Sequence, residues 1–132
     1  MGEDALEKMK SVNVLATDAM ILALDRIKSD SRSQAVRRIL AAMIAAHADG
    51  HDKPLIQSME VAEKTSSRSR KTLGMDEKMW RKAIIWIPER MHKILDRHCA
   101  DTGLRVADLI RGAIIAATET FPETGEATTS AA

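Results

Sequence analysis

His47, Asp49, His51 and Asp52 fall within one six-residue stretch and carry the side-chain types that hold zinc or activate water. They straddle an expected helix end, and no further ligand follows at metal-site spacing, so the cluster reads as solvated surface and no metal is expected. Cys99 is the single cysteine and cannot form an internal disulfide. It falls on an apolar helical stripe, where a thiol is inert packing. His92 reads as surface and His98 as the edge of the core. No nucleophile–base pair, phosphate-binding glycine loop or pair of acids in a plausible cleft is visible. Neither catalysis nor a cofactor is expected.

The remaining chemistry is charge. Residues 64–82 hold seven basic side chains (Lys64, Arg68, Arg70, Lys71, Lys78, Arg81 and Lys82) against Asp76 and Glu77. Arg68, Arg70 and Lys71 lie in a polar, serine-rich run and are candidate phosphate contacts, each adding about 0.9 to a salt slope. A solvated linker is the alternative. Over 132 residues the net charge is only +1, but it is unevenly spread. Glu3, Asp4 and Glu7 open the chain, and Glu119, Glu123 and Glu126 close it. Without those six acids, 20 basic residues face 13 acidic ones, a net of +7. A basic body with acidic fringes suits a polyanion partner. With only Trp80, Trp86 and Phe121 as aromatic residues, single-strand binding by base stacking is disfavoured.

These residues must be positioned by a small scaffold. Apolar residues make up 45% and charged residues 30%, a globular composition. No apolar run approaches the ~20 residues of a membrane span. The acidic opening lacks a secretory pattern, and with the lone cysteine it leads to an expected cytoplasmic location. Val12, Val14 and Ala16 alternate with polar neighbours and predict a strand over Ser11–Ala16. Thr17-Asp18 caps a helix over about 18–28, with a stripe of Met20, Leu24 and Ile27. Val36, Ile39, Leu40, Met43 and Ile44 mark a second helix over about 33–47, ended by Ala48-Asp-Gly50. The same order recurs as Lys82–Ile87, a helix opened by Pro88-Glu89 and ending near Thr102-Gly103, and a helix over about 106–119. The eight methionines read as core filler.

The two strand–helix–helix units lie about 71 residues apart when Met20 is laid on Met91 and Leu24-Asp25 on Leu95-Asp96. Each has roughly 40 residues, too few to bury a stable core alone. A single strand also leaves its ladder unpaired. Pairing the two strands antiparallel above four helices makes one domain of two halves. The expected organisation is a first unit at 9–48, a basic connector with a short helix near Leu55–Glu63 at 49–80, a second unit at 81–119, and a disordered acidic tail at 120–132.

This order at this length resembles the ribbon-helix-helix (MetJ/Arc/CopG-like) family of DNA-binding proteins. The second unit carries the resemblance best. Ile85-Trp-Ile-Pro-Glu89 looks like the strand exit, Leu95-Asp96 the mid-helix pair, and Thr102-Gly103 the turn. Ala107-Asp-Leu-Ile-Arg111 is similar to the opening of the second helix. In the first unit Val14-Leu-Ala-Thr-Asp18, Leu24-Asp25 and Ser33-Gln-Ala-Val-Arg37 correspond. That unit lacks the turn glycine and is three residues shorter between Asp25 and Arg37, read as one turn missing from its first helix. The tandem single-chain form is similar to TraY-type relaxosome proteins and to T-DNA-processing accessory proteins.

The resemblance implies a mostly α fold with a short two-stranded antiparallel β-ribbon, a tandem ribbon-helix-helix pseudo-dimer that is monomeric or oligomerises on DNA. It implies sequence-specific binding of double-stranded DNA by a ribbon in the major groove, as a transcriptional repressor or as an accessory factor in plasmid or T-DNA transfer. Relaxase or nicking-complex proteins are the implied partners, with no membrane. Base reading falls to Ser11, Asn13, Leu15, Lys82, Ile84 and Trp86, and phosphate binding to Ser31, Arg32, Ser33 and Arg105 at the second-helix starts. Arg37 and Arg111, at matched positions early in the second helices, either pair with Asp96 or Asp25 or face DNA, and the structural role is the favoured expectation. Leu15, Ile84 and Trp86 are apolar for a reading face, which motivates a rival: a protein-interaction module using that face, with only non-specific DNA affinity. Cover of Trp86 by the connector is the other account of its type.

Overall fold

The computed structural model describes residues 8–28, 30–66 and 77–122. They form a mostly helical chain with one two-stranded antiparallel sheet and five helices. In order, these are β1 (Met9–Ala16), α1 (Asp18–Ile27), α2 (Arg32–Ala48), α3 (Lys53–Lys64), a 3₁₀ turn (Glu77–Met79), β2 (Arg81–Pro88), α4 (Glu89–Cys99) and α5 (Val106–Thr118). No helix among the described residues is long and apolar enough to cross a membrane.

An isolated ribbon is marginal in water, so its stability comes from the face laid on the helices. Val12, Val14, Ala16, Ile85 and Ile87 are buried there with Met20, Leu24, Val36, Leu40, Leu95, Leu109, Ile110 and Ile114. Alternation along each strand sets that face, as the sequence predicts. Both strands run slightly longer than expected, β1 starting at Met9 and β2 at Arg81. Thr17 caps α1, its Oγ1 accepting from the Met20 amide at 3.2 Å. Gly50, at φ 86°, supplies the left-handed residue just past α2. Met20 and Met43 are core residues, whereas Met9 is 42% exposed and lies outside it.

Three expectations change. The three residues by which the first unit is shorter do not amount to a missing helical turn. Helix α1 has ten residues and α4 eleven, while the connections run over 28–31 and 100–105. The loop therefore absorbs most of the difference. Arg111 pairs with neither Asp25 nor Asp96. It is 2% exposed, donating from Nη2 to Asp108 Oδ1 at 2.6 Å and from Nε to Thr65 Oγ1 at 3.2 Å. Its guanidinium also lies 5.8 Å from the centroid of the Trp80 ring. Arg37 reaches a backbone carbonyl on β2 instead of an acid: Nη1 donates to Trp86 O at 2.8 Å. Both roles are structural, as expected, but through other partners.

The helix anticipated near Leu55–Glu63 is α3, and it is part of the core. Leu55, Ser58, Val61 and Ala62 are buried, and its backbone closes on α5 at Gly112. Arg68, Arg70, Lys71 and the tail from residue 123 onward lie outside the described residues.

Candidate nucleic-acid interface

The strand register decides which side chains share the outer face of the ribbon. Ser11 lies opposite Trp86, Asn13 opposite Ile84, and Leu15 opposite Lys82. Opposite residues in an antiparallel pair point to the same side, so all six candidate reading residues belong to one face in three rows. Ser11, Asn13, Lys82, Ile84 and Trp86 are exposed. Leu15 is the exception: it is half-buried and packs against the core. Trp86 is 50% exposed rather than buried, and Ile84 is 59% exposed.

Helix α2 fixes this face from one side. The Trp86 amide donates to Ser33 Oγ at 3.0 Å, and its carbonyl accepts from Arg37. Both backbone groups would otherwise be an open strand edge. Ser33, expected to hold a phosphate, is thus engaged with β2.

The other expected anchors also have partners. Ser31 is the N-cap of α2, its Oγ accepting from the Gln34 amide at 3.1 Å. Arg32 forms a two-pronged pair with Asp25, Nε to Oδ1 at 2.7 Å and Nη2 to Oδ2 at 3.0 Å, with Lys28 3.3 Å from Oδ1. Arg105 occupies the matching N-cap of α5. Its amide donates to Asp108 Oδ2 at 2.9 Å while its side chain stays exposed. Of the four, Arg105 has the most open charged group.

The Arg32 hydrogen bonds hold the Asp25 carboxyl down at about 2, against an ordinary 3.8, with Lys28 helping against slight desolvation. A folded-state value below the unfolded one means the pair stabilises in full above about pH 4. That contribution is lost as pH falls through about 2. A carboxyl titration by NMR should find Asp25 with a midpoint near 2, and Arg32→Ala should return it toward 3.8. An unchanged midpoint in that variant would remove Arg32 as the cause.

Sequence reading passed over Lys10 and did not separate Arg81 from the connector run. Lys10 stands opposite Ile87 and Arg81 opposite Ala16, so an exposed cation lies near each end of the ribbon, in rows that alternate with those of the outer face. Arg81 Nε lies 2.7 Å from Asp18 Oδ1, an exposed pair that a phosphate could displace at little cost. The available signal was each strand's first residues, whose significance depends on the register.

The remaining candidates stay apart from this face. His47 Nδ1 meets Asp52 Oδ1 at 2.7 Å, and the His47 and His98 rings touch edge-on with centroids 4.8 Å apart. Burial, with His47 nearby, holds His98 below the usual imidazole range. Burial first, then Asp108 and Asp96, pushes the Cys99 thiol up to about 11, so it is inert as a nucleophile at neutral pH. Among the described residues no group of three or more histidine, cysteine or acidic side chains could hold a metal ion. Compared with protein-family models, with curated proteins and with solved structures, the chain finds no match.

Proposed function

We propose that this chain is a sequence-specific double-stranded DNA-binding protein, a tandem ribbon-helix-helix pseudo-dimer that lays its ribbon in the major groove. One observation carries the reading. The 71-residue offset that lays Met20 on Met91 also lays Asn13 on Ile84, and those two residues face each other across the ribbon. A twofold relation between two strand–helix–helix units requires such a central row. The N-caps of α2 and α5, Ser31 and Arg105, correspond in the same way once the longer second loop is allowed for. The major groove admits a two-stranded ribbon, and the outer face offers Asn13 for adenine and Lys82 for guanine or phosphate. Lys10 and Arg81 add exposed cations near the two ends of the ribbon, in the alternate rows.

Because the halves differ in sequence, the preferred site is asymmetric rather than palindromic. Repression of transcription and positioning of a nicking complex on a mobile element both use such recognition, the second with a relaxase as partner. The exposure of Ile84 and Trp86 favours one rival reading, a protein-docking face with non-specific DNA affinity.

Selection from random duplexes at physiological salt, with sequencing of the bound pool, tests the proposal. An asymmetric enriched motif is expected. Asn13→Ala with Lys82→Ala should then weaken binding to that duplex by roughly 10- to 100-fold, the worth of one good base contact or more. Arg68→Ala with Arg70→Ala should weaken all duplexes alike and flatten the salt dependence. No enrichment, or full affinity in the Asn13/Lys82 variant, overturns ribbon reading.

A further inference from the structure

We infer that the apolar part of the ribbon face reads the C5-methyl groups of thymine, and that the central row Asn13–Ile84 reads one adenine–thymine pair. This rests on the DNA-reading proposal and makes its ligand chemistry specific. The outer face is divided in character. Ser11 and Asn13 lie side by side on β1, Ile84 and Trp86 side by side on β2 opposite them, and Lys82 and half-buried Leu15 make the third row. Ile84 has no hydrogen-bonding group, and Trp86 has a single donor at its ring edge. Pressed on the polar edge of a base, either would leave acceptors or donors dehydrated and unmatched. Among the base edges lining the major groove, the one apolar group is the thymine methyl.

The Asn13–Ile84 row supplies the two chemistries of one pair. An asparagine amide matches the N6 and N7 edge of adenine, and an aliphatic side chain matches the methyl of the thymine paired to it. Their Cβ atoms, directly opposite across the ribbon, are about 5 Å apart, within the span of one base-pair edge. Trp86 follows two residues along the same strand, about 7 Å further, and reaches a thymine at a neighbouring step. It is also the residue whose amide and carbonyl are both tied to α2 by Ser33 and Arg37, so its ring is presented from a fixed backbone. Duplex DNA rather than a protein is assigned as the occupant because the exposed cation Lys82 stands on the same face as the patch, with exposed Lys10 and Arg81 in the alternate rows near the two ends of the ribbon.

The test removes methyl groups from the DNA, so folding of a variant is not at issue. In the duplex enriched by selection, each thymine is replaced singly by deoxyuridine, which keeps base pairing and deletes only the C5-methyl. Affinity should fall about fourfold at two thymines, one of them paired to an adenine that the motif requires, as expected for one buried methyl each. Ile84→Ser should be insensitive at the first thymine and Trp86→Ser at the second, both being surface changes. A selected duplex bound equally with thymine or deoxyuridine everywhere, or a motif without thymine, overturns the inference while DNA reading stands. Failure to enrich any duplex overturns both, and Ile84 and Trp86 then belong to a protein-docking surface.

Discussion

Arg111→Ala should destabilise the protein by about 3–5 kcal/mol, more than removal of any surface charge. The guanidinium is 2% exposed and Asp108 5%, so their 2.6 Å contact is made out of water. Truncation leaves the buried Asp108 carboxylate without its close ion-pair partner, the exposed Arg105 side chain being 3.9 Å away, and it takes away the donor to Thr65 Oγ1 and the cation over Trp80. The second oxygen of Asp108 still accepts from the Arg105 amide at the start of α5, so the acid cannot swing out to solvent without uncapping the helix. Arg111→Met with Asp108→Asn should recover much of the loss, because asparagine keeps an acceptor for Arg105 and carries no charge. Urea unfolding of the three proteins measures both effects. A cost below about 1 kcal/mol for Arg111→Ala would mean that Asp108 stays hydrated.

The sequence is legible where a periodicity is local. Period-2 alternation at Val12, Val14 and Ala16 identifies the buried side of β1, and the Thr17 cap marks the next helix start. The outer six residues follow from the same alternation. What it cannot supply is register, since a strand pattern repeats every two residues and several pairings bury the same set. Only the pairing shows Asn13 facing Ile84, and only the pairing places Lys10 and Arg81 near opposite ends of the ribbon. Leu15 illustrates a different limit: a nominally outward leucine can still lean onto the core. Ser33 and Arg37 form a third case. Their targets are the amide and carbonyl of Trp86, 53 and 49 residues away, and backbone groups leave no complementary residue to look for in the sequence.

Gly112→Ala is the second large effect, and it joins stability to the ribbon. A Cβ at this position collides with the Ser58 carbonyl oxygen and comes within 2.7 Å of the Ala62 nitrogen and 2.9 Å of the Ala62 Cβ. Two of the three obstacles are backbone atoms of α3, so no side-chain rotation relieves them. Alanine gains about 1 kcal/mol in helix propensity over glycine, yet a clash between helix backbones outweighs it. A net loss of about 2–3 kcal/mol follows, a fall of roughly 10 °C in Tm for a chain of this size. Ala62→Gly in the same protein should restore only part of it, because the Ser58 oxygen and the residue 62 nitrogen stay in place. Helix α5 also packs against β1. In protein still folded, the displaced helix should therefore move the amide resonances of Ser11–Leu15 more than those of Lys82–Trp86. A Gly112→Ala protein of unchanged Tm would mean that α3 does not close on α5 in solution.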